Sequence, residues 1–428
     1  MSYMFYDRPN YCAGPRVNAL RLLPELVRRG HDVTALIGYQ RACPAKSLLE
    51  KQGVRVCATP WPSFVEEQVA WIYEVLEKQQ PDIFVPNISV SGCYAARFVR
   101  EAGRATVAGH LSDDRFNWAM AERFCKAGDE WAVSGMFCMG KELAQAVCGW
   151  NPCRTHVVDI SHGVPMPHTT VVDDDTLRLV YAGRLEDQQK RICDVVGSMV
   201  TTLRRYPTAT AKIIGDGSQR GAVEEIILRS GVADRFELTG FVWPDRVQNE
   251  LLSGNLLILL SDFEGVPGSV MDGMACGLVP VCLDIPGGLR ELVIHEETGL
   301  LVSDREQSFQ NAISRLGRDS ALRRRLSANA RNHIENGFSL KVAADRWEQL
   351  CSDLLANAGP RRPIRFPSKP VLPPPSPGIA REDKRKPARY AQAYDHCLGF
   401  PRRAARWVTK RLIGPAPSIE RPPVEPMD

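Results

Sequence analysis

The sequence predicts an α/β fold of two parallel-sheet domains followed by a disordered, basic, Pro-rich tail, and three observations carry that prediction. Short apolar runs alternate with helical patterns along most of the 428 residues, which is how strands connected by crossover helices read. The alternation breaks once, at PMPHTTVVDDD from Pro165, which has neither period and reads as a linker. Finally, 15 of the 31 prolines crowd into residues 359–428, so the packed fold is expected to end near residue 358.

Taken in order, residues 4–6 read as a strand, 17–29 as a helix, 31–37 as a strand and 68–79 as a helix. Residues 82–85, 105–108 and 130–133 are three further expected strands. After the linker, strands are expected at 177–182, 211–214, 236–238, 256–260 and 279–283, with helices between them, and 340–355 as a closing helix. The expected units are therefore a first domain over 1–165, a second over 176–338, the closing helix over 339–357 and the tail over 358–428. No internal sequence repeat joins the two halves, although they share an architecture.

Composition excludes several classes. With 44% hydrophobic and 24% charged residues the chain has ordinary globular character and room for two cores. No stretch approaches the eighteen or so apolar residues of a membrane span. The start, MSYMFYDRPN, lacks the charged-then-apolar layout of a signal peptide, so a cytoplasmic location is expected. The 13 cysteines are odd in number and scattered without a Cys-x-x-Cys pair, and Cys148 and Cys153 have poor metal spacing; they read as reduced core residues. Residues 359–428 carry 15 Lys/Arg against 6 Asp/Glu, or +9, which leaves the first 358 residues at −5. A mildly acidic body with no basic groove argues against nucleic acid as a partner.

In an α/β sheet, ligands bind at the carboxyl ends of strands, where helix N-termini offer unpaired amides to phosphate. After the strand ending in Tyr181 the chain reads AGRLEDQQKRI, placing Arg184 and Lys190 around one loop. Two fixed cations there could grip a diphosphate, or could be solvated surface. After LLILL comes SDFEGVPGSVMDGMACGLVPV, with Glu264 and Asp272 eight residues apart across a tight loop and a helix start. That pair could hold ligand hydroxyls, or could be a helix-end acid plus a surface acid.

In this order the segments resemble the family 4 glycosyltransferases over nearly all of residues 1–357, most strongly from Leu179 to Val302. Gly183, Arg184, Leu185 and Lys190 match the family's Gly-Arg-Leu loop and its following Lys, and Gly215, Asp216 and Gly217 match a Gly-x-Gly. Glu264 to Asp272 matches Glu-x7-Glu, with Asp in the second place and followed by MACGLVPV. Gly287, Gly288, Glu291 and TGLLV match the signals that come next. In the first half, CAGPR stands where the family has a glycine-rich loop, with Gly14 letting the backbone approach a phosphate. RRGHDVT and PDIFVPN resemble its helix exit and its Pro-Asp strand, with Asn87 at a place often held by His. His110 matches the family histidine that reaches the donor sugar.

The resemblance implies the GT-B architecture, two Rossmann-like domains facing across a cleft, and a retaining, metal-independent transfer of a sugar from a nucleotide-diphosphate donor to a glycan or lipid-linked acceptor. Arg184 and Lys190 would neutralise the departing diphosphate, Glu264 would hold the sugar hydroxyls and Asp272 those of the ribose. Amides around Val266 and Gly268 would touch phosphate or sugar. The expected catalytic set is Arg184, Lys190, Glu264 and His110; the expected donor-binding set is Gly14, Gly183, Gly215, Val266, Gly268 and Asp272. No metal and no cofactor beyond the nucleotide-sugar is expected.

Other readings are open. A nucleotide-sugar epimerase or a sugar phosphorylase could share the architecture, though a phosphorylase would need a pyridoxal lysine and a much longer chain. A nucleotide-sugar-binding pseudoenzyme could follow from Asp272 and Pro267. The acidic runs at 112–114 and 173–175 invite a metal reading, but the second falls in the linker. A dinucleotide enzyme is disfavoured because Arg220 occupies the third glycine place of Gly-x-Gly-x-x-Gly. In the tail, FPRRAARWVTKRLIG could form a helix with Trp407, Val408 and Leu412 on one side and four basic residues on the other. That pattern suits peripheral membrane contact through 400–414, or merely a solubilising segment.

Overall fold

The structure, a computed structural model, describes residues 1–7, 14–111, 115–172 and 174–387. Its central strands are short apolar runs covered on both faces, as parallel sheets require. In the first domain β1 (Ser2–Asp7), β2 (Thr34–Tyr39), β3 (Arg55–Pro60), β4 (Ile83–Asn87), β5 (Ala105–His110), β6 (Gly135–Cys138) and β7 (His156–Asp159) form one sheet in the order 3-2-1-4-5-6-7. Helices α1 (Gly14–Arg28), α2 (Pro44–Glu50), α3 (Val65–Gln79), α4 (Val90–Glu101), α5 (Arg115–Ala121) and α6 (Lys141–Cys148) cover it.

The second domain repeats the plan with β8 (Arg178–Ala182), β9 (Thr210–Ile214), β10 (Phe236–Gly240), β11 (Leu256–Leu259), β12 (Val279–Leu283) and β13 (Leu300–Val302), ordered 10-9-8-11-12-13. Its helices are α7 (Ile192–Arg205), α8 (Arg220–Leu228), α9 (Val247–Leu251), α10 (Gly268–Cys276), α11 (Leu289–Leu292), α12 (Gln307–Arg318) and α13 (Ser320–Gly337). In both sheets the strand order reverses beside the first strand, so β1/β4 and β8/β11 mark the crevices where ligands collect.

The closing helix α14 (Leu340–Ala356) returns to the first domain. Its Trp347, 1% exposed, packs edge-on to Tyr3 and against Phe137. Arg29 at the end of α1 reaches Asp345 and Glu348, both at 2.7 Å. The crossing is tight: a Cβ on Gly163 would lie 2.6 Å from the Leu340 backbone.

Two expectations are corrected. Residues 130–133 form a turn, not a strand, because Asp129 takes their amides: Trp131 N–H donates to its side chain at 2.8 Å and Ala132 N–H to its carbonyl at 3.1 Å. Trp131 and Val133 are buried, which gave the run its strand-like look; the strand is β6, two residues later.

The packed fold also continues past residue 358. Residues 359–387 run back over the first domain, with Ile364 and Ile379 at 0% exposure. Phe366 stacks on Tyr73 at 4.1 Å, Gln80 bonds both backbone groups of Ile364, and Tyr94 donates to Asp383 at 2.8 Å. Prolines suit such a strap, since an extended segment lying on a surface needs few N–H partners and proline is already restricted to that shape. The segment 400–414 lies outside the described residues.

Ile364→Ala should lower stability by about 2–4 kcal/mol, the usual cost of emptying a buried aliphatic site. Val371→Ala, in the same strap but 42% exposed, should stay within about 0.5 kcal/mol. Denaturant unfolding of the two variants checks the strap.

Candidate functional site

At the carboxyl edge of the second sheet, the loops after β8 and β9 meet backbone to backbone. Gly183 N–H donates to Ile214 O and Leu185 N–H to Asp216 O, both at 3.0 Å. Gly215 has φ +137°, and a Cβ there would lie 1.9 Å from Gly183 O; one on Gly217 would lie 2.4 Å from Leu185 O. Glycine is thus dictated by both the dihedral and the space at 215, and by the space at 217. Arg220, in the third glycine place of the dinucleotide pattern, pairs with Glu224.

That contact fixes the cationic loop. Buried Tyr181 donates to Arg184 O at 2.8 Å, while the Arg184 side chain, 36% exposed, pairs with Glu186 at 2.8 Å. Lys190 is held more tightly: its Nζ lies 2.6 Å from Glu264 Oε1, with the two side chains 11% and 7% exposed. Gln189 stitches the two loops together, donating to Phe263 O at 2.9 Å and accepting from Asp262 N–H at 3.0 Å. Breaking a buried pair from one side costs about 3–5 kcal/mol, against about 0–1 kcal/mol for an exposed one. Lys190 and Glu264 are therefore a structural unit, whereas Arg184 can be removed cleanly.

Helix α10 begins just beyond Glu264. Pro267 supplies no side-chain cap and a Cβ on Gly268 would meet nothing within 4 Å, while Val270 N–H donates to Pro267 O at 3.1 Å. Val266 is 6% exposed; its Cγ2 would be 2.5 Å from a Cβ on Gly288 and 3.6 Å from one on Gly140. Its side chain packs between the Gly288 loop and Gly140 of the first domain. Glu291 closes the same seam, accepting from Lys141 N–H at 2.7 Å.

Asp272 lies one turn along α10 from Gly268, 5% exposed. Arg21 of α1 donates to both its oxygens, at 3.0 and 2.9 Å, and Gln248 donates to Oδ1 at 3.0 Å. Neither partner was anticipated from sequence, although α1 carried a signal: Arg16 and Asn18 are buried among its apolar residues. Arg16 pairs with Asp7 at 2.7 Å, both nearly sealed, and lies 5.2 Å over the ring of Trp243 in the other domain. α1 thus meets the second domain at two points.

On the first-domain side, His110 ends β5 at 0% exposure, with its ring 4.5 Å from that of Trp118. The next carbonyl, Leu111 O, would lie 3.4 Å from a Cβ on Gly265, so this strand end faces the Glu264 loop. Gly14 opens α1, and a Cβ on it would lie 3.1 Å from His162 Nε2. His162, in the segment joining the domains, was also missed. Burial, reinforced by the Arg21 charge, pushes its imidazole down to about 3, so it is neutral here.

The structure brings Lys190 to Glu264, Gly183 to Gly215, and the His110 strand end to the Glu264 loop. Arg184 joins Lys190 through Gln189, whereas Asp272 turns to Arg21 and not to another expected residue. Residues 112–114 and 173 lie outside the described residues; Asp174 pairs with Arg178, and Asp175 meets the buried Arg323 at 3.1 Å. Among the described residues all eleven cysteines are free, and no helix is long and apolar enough to cross a membrane.

Comparison with known proteins gives this geometry a context. Residues 176–319 match the family model described as Glycosyl transferases group 1. An exopolysaccharide phosphotransferase of Streptomyces coelicolor is 32% identical over 177 residues, 40% of this chain and 18% of its own length. A 2-deoxystreptamine N-acetyl-D-glucosaminyltransferase of Streptomyces fradiae is 38% identical over 96 residues, 22% of this chain and 23% of its own length. The chain thus spans about a fifth of the length of each of these relatives. The crystal structure of Anabaena HepE with UDP-glucose superposes over 82% of this chain and 100% of its own, at TM-score 0.65 and 19% identity, a likeness of fold.

Two outcomes test the site's construction. Gly215→Ala should disrupt the packing of the β8 and β9 loops, seen as a melting temperature several degrees lower or as insoluble protein. For His162, the unfolded chain binds its proton near the ordinary value of about 6.5 and the folded chain only near 3. Stability should therefore fall as pH drops below about 6.5, by up to about 1.4 kcal/mol per pH unit. Unfolding measured from pH 7 to 4.5 should show a shallower loss in His162→Asn; parallel curves would remove His162 from this role.

Proposed function

We propose that the chain is a retaining, metal-independent glycosyltransferase of the GT-B kind, a reading supported by the match of residues 176–319 to the Glycosyl transferases group 1 model and by the likeness of fold to Anabaena HepE. It would move a sugar from a nucleotide-diphosphate donor to a glycan or lipid-linked acceptor. The observation that carries this reading is the buried Lys190–Glu264 pair, held beside Arg184 and the start of α10. Cations, helix amides and a carboxylate meet at the strand ends where a diphosphate and its sugar would lie. The UDP-glucose in the structure of the Anabaena neighbour agrees with such a donor.

Charge grows on the leaving diphosphate as the glycosidic bond breaks, so a fixed cation about 4 Å away contributes roughly 4 kcal/mol at an effective dielectric near 20. Lys190 and Arg184 fill that role, which a divalent ion fills in other transferases, and the amides of α10 add to it. Glu264 orients Lys190 through Oε1 and takes the sugar hydroxyls. His110 approaches the sugar from the first domain. The acceptor proton passes to a donor phosphate oxygen, as a front-face retaining reaction allows, without a dedicated base. Asp272 takes the ribose hydroxyls while sharing its oxygens with Arg21 and Gln248. The basic segment 400–414 adds peripheral contact with anionic lipid, suited to a lipid-linked acceptor.

Calorimetric titration with UDP, GDP, ADP and CMP in excess EDTA tests the donor site. One diphosphate should bind without metal, and Arg184→Ala should weaken it about 10- to 100-fold, the loss of one charge-assisted contact. Lys190→Ala should abolish binding, provided its melting curve shows a folded protein. If no nucleotide binds, or if binding needs a divalent ion, the proposal is wrong.

A further inference from the structure

A cavity of about 510 Å³ opens at the opposite, amino-terminal end of the first sheet, far along the strands from the cleft. It lies between the starts of β5, β6 and β7 and the C-terminal end of α14, and its wall includes Gly359, where the strap begins. Arg100, Arg104, Arg154 and His156 face into it against one carboxylate, Asp353. Such one-sided charge inside a recess is a focused positive potential.

The arginines are only partly satisfied. Arg100 donates through Nη2 to Glu130 O at 2.6 Å and Arg104 through Nη1 to Asp82 at 3.0 Å, yet the Nε of each is buried with no hydrogen-bond partner. Arg154 makes a long 3.4 Å contact to Asp129 O. Nearby carboxylates are already engaged: Asp82 by Arg104 and Arg361, Asp129 by Arg123, Glu130 by Arg97 and Asp353 by Gln349. Burial first, and then the neighbouring Arg154, press Arg100 below its ordinary range, with Glu101 and Asp129 only partly offsetting them. Orphaned buried donors on a cation are costly, and guanidinium forks match tetrahedral oxyanions.

We propose that this cavity is an anion site, separate from the donor cleft, that takes phosphate or the phosphate group of a small soluble phosphomonoester. Its volume lies within the range of small-molecule pockets and leaves room for an organic portion beside the phosphate. Because its walls come from the sheet, α14 and the start of the strap, an occupant ties the closing helix and the strap to the first domain. Binding here therefore stabilises the folded chain whether or not the cleft is filled.

The test is titration of the full chain with inorganic phosphate and, separately, with glucose 6-phosphate, in chloride at matched ionic strength. Each protein is monitored by calorimetry and by melting temperature. Saturable binding with a raised melting temperature is expected, weakened about tenfold in Arg154→Ala, an exposed position whose change should not disturb folding. Arg184→Ala, in the cleft, should bind as the wild type does at this site. Tighter binding of the sugar phosphate identifies a phosphomonoester as occupant; equal binding identifies phosphate itself. No saturation beyond that of chloride, unchanged binding in both Arg154→Ala and Arg104→Gln, or loss in Arg184→Ala alone would overturn the proposal.

Discussion

The contact on which the second domain's chemistry depends is the meeting of two strand-end loops with no side chain between them. Gly215 sits where a Cβ would be 1.9 Å from Gly183 O, and the two 3.0 Å bonds beside it hold Gly183 and Leu185 against Ile214 and Asp216. With that loop fixed, Tyr181 sets the Arg184 backbone, Gln189 joins the neighbouring loop and Lys190 closes on Glu264. On the proposed function, a cation held this way would be in place before a ligand arrives and would need no reorganisation as charge develops.

The second constraint lies across the cleft. Asp272 has one methylene less than the Glu expected at its position, and its carboxylate is met by Arg21 from the opposite domain and by Gln248. Arg16 over Trp243 and Lys141 against Glu291 add two further ties. A guanidinium supplied by α1 makes the short acid part of a network between the two domains. His162 and Gly14 lie at the same junction, where the chain passes from one domain to the next.

Much of the frame was legible because its signals are local. Strand runs such as 279–283 announce themselves through composition and spacing, whereas the glycines at 183 and 215 and the paired cations at 184 and 190 were marked by their resemblance to a family's ordered motifs. What escaped detection is what depends on distant partners. Arg21 and Gln248 are ordinary helix residues until the fold brings them to Asp272, 251 and 24 residues away in sequence. The 130–133 turn was misread because burial of Trp131 and Val133 imitates a strand, and only Asp129's hydrogen bonds distinguish the two. The strap was misread because proline content signals disorder on average, whereas Ile364, Phe366 and Ile379 give this segment apolar anchors enough to dock.

If a preformed cationic site stabilises a leaving diphosphate, turnover reports it without any acceptor. Purified protein would be incubated in EDTA with the sugar nucleotide whose diphosphate it binds, and the release of free nucleoside diphosphate followed over hours without added acceptor. Slow, metal-free release by the wild type is expected, with a loss of at least about a hundredfold in Arg184→Ala, the scale of one transition-state contact of about 3 kcal/mol. No release, or equal release from the variant, would contradict it.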